Sequence, residues 1–180
     1  MVISFLFYIF AKKIEMPRTN VSLNKSKEAK NNEFYAVEHE IMKELSLRSG
    51  DLKGMEVFCN CNDGLHRGFV NCLKKMFYEY GIKRLKYSEY GEGDNNGKIY
   101  YYDGTKETVE ILDHKGDFRY GRCLEELIKC DIVITGPPYT LAKEFVTLLL
   151  RLKKKFLIIL DMAHLSYKEI FEPFSQEKYG

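Results

Sequence analysis

A chain of 180 residues with 28 basic and 26 acidic side chains carries a net charge of only +2, so no global field drives it onto nucleic acid or an anionic membrane. Its apolar share of 45% is enough for one packed core and excludes a disordered or low-complexity polymer. Five cysteines, odd in number and irregular in spacing, exclude a disulfide framework and predict reduced thiols in a cytoplasmic protein.

The run Met1 to Phe10 is almost wholly apolar, yet it is too short to span a bilayer, and neither a preceding basic residue nor a small-residue cleavage site marks it as a signal. Met16 opens more ordinary sequence and is expected to be the natural start, with residues 1–15 standing apart from the domain. Residues 1–30 therefore read as an apolar leader and a flexible basic arm, and 31–180 as the folded domain. Val37, Ile41, Met42 and Leu45 predict a helix, and Met55 to Cys61 a strand. Phe69, Cys72, Leu73, Met76, Phe77 and Tyr80 recur at helical spacing, with Gly81 placed to end that helix. Arg84 to Tyr90 predicts a second strand, Gly91 to Gly97 a glycine-rich loop, and Ile99–Asp103 with Glu107–Leu112 an inserted hairpin. A helix over Arg122–Lys129, the strand Asp131–Thr135, an apolar helix over Thr140–Leu152 and the strand Phe156–Leu160 follow, and Ser166-Tyr-Lys-Glu169 is a capping box that opens a last helix. Strands alternating with helices imply an α/β fold with a doubly wound, mostly parallel sheet.

In such a sheet the turns after the strands carry ligands. The first offers Asn62-Asp63-Gly64, suited to a ribose or amino-acid moiety or to a plain structural turn. The second offers Glu89, where a ribose hydroxyl is often bound; an exposed glutamate is the ordinary alternative. The third offers Asp117 beside Phe118, an acceptor for an adenine amino group with a ring to pack on the base. The fourth is Gly136-Pro137-Pro138-Tyr139, whose two fixed φ angles make a rigid turn that aims the next ring outward. Cys59 and Cys61, with His66 and Cys72, match no common structural zinc spacing, and no metal site is assigned.

Asp131-Ile-Val-Ile-Thr-Gly-Pro-Pro-Tyr-Thr-Leu141 resembles the Asp/Asn-Pro-Pro-Tyr/Phe motif of S-adenosylmethionine-dependent amino methyltransferases, and its surroundings resemble the EcoRI-type adenine-specific DNA methyltransferase family. Four further segments match that family in order: Lys30 to Tyr35, Val57 to Cys61, Lys115 to Arg119, and Lys155 to Ile159 with Ser166 to Phe171. The resemblance runs from about Met16 to the end. It implies a Rossmann-like fold of the class I methyltransferase type without the last strands and the DNA-recognition region of the family. It also implies a restriction–modification function in which a methyl group passes from S-adenosylmethionine to N6 of an adenine flipped out of duplex DNA. By the same resemblance, Phe34, Tyr35, Asn60, Cys61, Asp63, Glu89, Asp117 and Phe118 hold the cofactor. Gly136, Pro137, Pro138 and Tyr139 form the catalytic turn, with the Pro137 carbonyl accepting an amino hydrogen and Tyr139 stacking on the base.

The sequence departs from the family at 136, where Gly replaces Asn or Asp. An amino group whose lone pair is delocalised into the ring needs both hydrogens accepted, and losing one preorganised acceptor costs about 3 to 4 kcal/mol in the barrier. Turnover by the isolated chain is accordingly expected to be low, with DNA recognition supplied by a complementing chain. The alternative expectation is an inactive remnant that binds a nucleotide or a partner.

Overall fold

The structure, a computed structural model, describes residues 7–12, 38–39, 41–60, 68–137 and 139–161, with the backbone alone at 7–12, 139 and 160–161. Seven strands make one sheet: β1 (Phe7–Lys12), β2 (Glu56–Cys59), β3 (Arg84–Glu89), β4 (Lys98–Tyr102), β5 (Glu107–Ile111), β6 (Ile132–Thr135) and β7 (Lys155–Asp161). Their order is β1-β7-β6-β2-β3-β4-β5; β3–β4 and β4–β5 pair antiparallel, and the four pairings from β1 across to β3 are parallel. Helical segments are α1 (41–47), α2 (Gly68–Lys75), α3 (Gly121–Lys129) and α4 (Ala142–Arg151).

Central strands are buried on both sides, which is why Ile132-Val-Ile-Thr135 reads as a continuous β-branched run rather than an alternating one. On one side, Ile41 and Leu45 of α1 and Leu73 of α2 pack with Leu85 and Tyr87. On the other, Leu127 of α3 and Phe145 and Leu149 of α4 pack with Phe58, Val133 and Phe156. The buried positions of α4, Ala142, Phe145, Val146 and Leu149, fall at the i, i+3, i+4, i+7 spacing of a single helical stripe. Each such large apolar side chain contributes roughly 1.5 to 3 kcal/mol by leaving water. Helices on both faces of a mostly parallel sheet confirm the doubly wound α/β class.

Two details differ from the sequence expectations. Residues 7–12 do not stand apart from the domain; they form β1, paired in parallel register with β7 from Phe7↔Phe156 to Lys12↔Asp161. Phe7-Tyr-Ile-Phe10 has the aromatic and β-branched make-up of a strand, and the outer backbone edge of β7 supplies the partner. The helix expected to reach Tyr80 ends at Lys75, and the chain continues as turns held by Tyr80 N–H to the Met76 carbonyl at 2.9 Å until Gly81, at φ 62°, redirects it. The capping box at 166–169 lies outside the described residues. Among the described residues, no helix is long and apolar enough to cross a membrane.

One polar cluster lies inside the sheet–α3 layer. Lys86, 5% exposed in mid-β3, meets Glu126 of α3 at 2.8 Å and Glu56 of β2 at 3.0 Å, and Glu126 also meets Arg122 at 2.9 Å. Burial alone would lower the Lys86 pKa, but its hydrogen bonds to Glu126 and Glu56 outweigh that and raise it. The same contact, with Lys83, holds Glu56 below its ordinary range. Glu110, bonded by Tyr101 and Arg122, and Asp117, bonded by Arg119, are also held low. A carboxylate whose folded pKa is depressed adds stability above its unfolded value, and that stability is lost as pH falls toward the folded value. Thermal melts are therefore expected to be flat with respect to these groups above about pH 5 and to fall progressively below about pH 4; a melting temperature unchanged down to pH 2.5 would contradict the assignment.

Candidate active site

Strand order fixes where the turns converge. The connections leave β2 toward β3 on one side and reach β6 and β7 on the other, so β2 and β6 flank the topological switch point, the crevice in which open α/β sheets bind ligands. Asn60 follows β2 and Gly136 follows β6. The two segments are tied across the crevice by the Thr135 hydroxyl donating to the Asn60 carbonyl.

Asn60 is fully buried, and among the described residues neither its Oδ1 nor its Nδ2 has a hydrogen-bond partner. An unsatisfied buried amide atom costs about 1 to 3 kcal/mol, so this carboxamide is suited to a ligand carrying both an acceptor and a donor. The amino-acid end of S-adenosylmethionine, an ammonium beside a carboxylate, has that pairing.

At the adjacent end of β3, Glu89 accepts from the Tyr100 hydroxyl at 2.8 Å. The segment after β5 folds across that end: Gly91 N–H donates to the Lys115 carbonyl and Gly97 N–H to the His114 carbonyl, each at 2.8 Å. Contact there is so close that a Cβ on Gly97 would lie 2.5 Å from the Lys115 carbonyl oxygen. Gly97→Ala must therefore shift the backbone leading to Asp117. We expect it to lower stability by about 1 to 3 kcal/mol in denaturant titration, because no flexible side chain is available to yield; an unchanged midpoint would contradict the contact.

Asp117 is 9% exposed and turned toward Arg119, whose backbone N–H and Nε reach Oδ1 at 2.9 Å and whose Nη2 reaches Oδ2 at 2.5 Å. That guanidinium also holds the Asp117 pKa down. Any contact from Asp117 to an adenine amino group shares a carboxylate already engaged by Arg119. Phe118 is buried, edge-to-face with Phe145 at 5.0 Å, and so ties the segment to α4. An open cleft of about 540 Å³ lies along α4, lined by Phe118, Arg119, Thr140, Lys143 and Arg151 among others, but Asn60, Glu89 and Gly136 are not part of its wall.

Gly136 is exposed and Pro137 buried, and a 3-10 turn over Tyr139–Leu141 leads into α4. Gly136 is not among the glycines of positive φ, and among the described residues a Cβ added to it would meet Phe69 Cε2 at 3.8 Å, an ordinary contact distance. Neither the backbone conformation nor crowding by the described residues calls for glycine here. Phe69, on the first turn of α2 and 8% exposed, is the wall that sequence reading missed, because only the fold brings it to Gly136.

Asn60, Glu89, Asp117, Phe118, Gly136 and Pro137 are thus gathered at the carboxyl edge of the sheet. Phe34, Tyr35, Cys61, Asp63 and Pro138 lie outside the described residues, and Tyr139 is described by its backbone alone. The described cysteines are buried, which pushes Cys72, Cys123 and Cys130 up to about 12 and Cys59 higher still, so these thiols are packing groups rather than nucleophiles.

A mostly parallel sheet with helices on both faces, its switch point between β2 and β6, is consistent with a Rossmann-like methyltransferase domain. The family described as adenine-specific methyltransferase EcoRI matches residues 22–179. The chain is 35% identical over 160 residues to the type II methyltransferase M.MpnI of Mycoplasma pneumoniae, covering 87% of this chain and 50% of that protein. To M.MgeORF184P of Mycoplasma genitalium it is 34% identical over 158 residues, covering 86% of this chain and 49% of the relative. To M.EcoRI of Escherichia coli it is 32% identical over 177 residues, covering 89% and 54% respectively. No solved structure matches the chain. The chain belongs to the EcoRI-type adenine-specific methyltransferase family, and it spans about half the length of these relatives.

Proposed function

We propose that this chain holds S-adenosylmethionine in the crevice between β2 and β6 and presents the Gly136–Tyr139 turn to an adenine swung out of duplex DNA. The observation that carries the reading is the fully buried carboxamide of Asn60 at the switch point, without a hydrogen-bond partner among the described residues and one strand from that turn. When bound, S-adenosylmethionine supplies a methyl group activated by its sulfonium sulfur. The chain binds and orients. Asn60 pairs with the amino-acid end, Glu89 accepts from a ribose hydroxyl, and Phe118 and Asp117 border the adenine ring of the cofactor. Phe34, Tyr35, Cys61 and Asp63 complete this site in line with the family resemblance. The Pro137 carbonyl accepts one hydrogen of the target N6, which draws the nitrogen toward tetrahedral geometry, and Tyr139 stacks on the base.

Grip on a duplex is proposed to need a recognition region beyond these 180 residues, because a net charge of +2 provides little phosphate neutralisation. Gly136 favours a second reading, a nucleotide- or partner-binding subunit with no turnover. The experiment is methyl transfer from labelled S-adenosylmethionine to an adenine-containing duplex by this chain fused to the recognition region of a relative. Slow labelling at adenine N6, abolished in Tyr139→Ala, supports the enzyme reading. Label found on cytosine would contradict it, and adenine binding without transfer would favour the second reading.

A further inference from the structure

We propose that His114 is a positioning residue that sets the preference of the cofactor site for adenine, by fixing the turn that carries Asp117. The inference deepens the reading above and rests on it, since Asp117 and Phe118 border the adenine ring there. Two turns of the same kind follow one another in this segment. The ring Nδ1 of His114 accepts from the Gly116 N–H at 3.0 Å, and Oδ1 of Asp117 accepts from the Arg119 N–H at 2.9 Å. In each, a side-chain acceptor takes the backbone N–H two residues on, the arrangement by which Asn and Asp make turns. The His114 turn comes first, so the direction in which Asp117 leaves the backbone depends on it.

Further contacts hold the imidazole itself in place. The His114 carbonyl accepts from the Gly97 N–H at 2.8 Å, which ties its backbone to the glycine-rich loop. The far edge of the ring stands against the start of α3, so close that a Cβ on Gly121 would lie 2.5 Å from Nε2. The Tyr120 ring lies beside it, with centroids 5.8 Å apart. One side chain thus spans Asp117 to Tyr120, bonded to Gly116 before them and packed on Gly121 after them. Both glycines take the left-handed conformation, at φ 88° and 60°. Glycine at both ends leaves a segment many alternative conformations. His114 selects the one in which Asp117 is nearly buried at the sheet edge.

The test is isothermal titration of the full chain with S-adenosylhomocysteine and with S-inosylhomocysteine, in which a carbonyl oxygen replaces the adenine amino group. The amino group donates to Asp117 and the carbonyl oxygen cannot, so the parent chain should prefer the adenine ligand by about tenfold, the order set by one hydrogen bond to a carboxylate. His114→Gln reaches the Nε2 position and leaves Gly116 without its acceptor, and it should reduce the preference to about twofold or less. His114→Phe, a ring with no acceptor, should do the same. His114→Asn, whose Oδ1 stands where Nδ1 stood, should keep the preference. A general loss of stability would weaken both ligands alike and leave their ratio unchanged. A ratio that His114→Gln and His114→Phe leave as in the parent, or that His114→Asn loses with them, would overturn the positioning role and leave the cofactor site standing. Equal affinity of the parent for the two ligands would overturn the role of Asp117 and with it that of His114. Binding of neither ligand would overturn the cofactor reading as well.

Discussion

Gly136→Asn, in the same fusion to the recognition region of a relative, should raise adenine methylation by about a hundredfold or more, the effect of restoring one preorganised hydrogen bond at a reacting amine. Three features of the site support so large a gain. The turn that aims the new side chain is retained in Pro137 and Tyr139. The Gly136 backbone is not in the left-handed region, so asparagine enters without conformational strain, and Phe69 at 3.8 Å from the new Cβ permits it sterically. The gain should lie in kcat, because the carboxamide accepts a hydrogen whose donor strength grows as the nitrogen is methylated. A variant that binds cofactor and DNA normally and transfers no faster than the parent shows that the missing acceptor is not the defect.

Glu126→Ala should lower the unfolding free energy by about 3 kcal/mol or more, because it strips Lys86 of its closest partner inside the sheet–α3 layer. Both side chains are nearly excluded from solvent, at 6% and 3% exposure for Lys86 and Glu126, and Arg122 also loses its contact to Glu126. Lys86 keeps Glu56 at 3.0 Å, which places the loss toward the low end of what breaking a buried pair costs. The paired replacement Lys86→Met with Glu126→Leu should recover most of the loss, since it removes both charges from the interior rather than stranding one. Chemical denaturation of Lys86→Met, Glu126→Leu and the double variant measures the coupling directly; a double-variant loss equal to the sum of the two single losses would mean that Lys86 and Glu126 do not act as a pair.

Much of this arrangement is legible in the sequence because it is local. The β-branched run at Ile132–Thr135 fixes a buried strand, the apolar stripe of Ala142, Phe145, Val146 and Leu149 fixes α4, and the Gly-Pro-Pro-Tyr turn fixes where β6 must stop. What escaped is non-local. Pairing of Phe7–Lys12 with β7 joins opposite ends of the described chain, and no pattern within a short apolar run announces its partner. Lys86 reads as a surface lysine until α3 is seen to lay Glu126 against it. Phe69 reads as one more helical core residue, and only the placement of α2 beside β6 makes it a neighbour of Gly136. Arg119 is different: it stands two residues from Asp117, and its pairing with that carboxylate was within reach of the sequence.

Isothermal titration with S-adenosylmethionine and S-adenosylhomocysteine tests most directly whether the crevice between β2 and β6 is a cofactor site. Saturable one-to-one binding of both is expected, weakened about tenfold or more when Asn60→Ala removes the buried amide. No heat of binding for either ligand, or affinities that Asn60→Ala leaves unchanged, would contradict it.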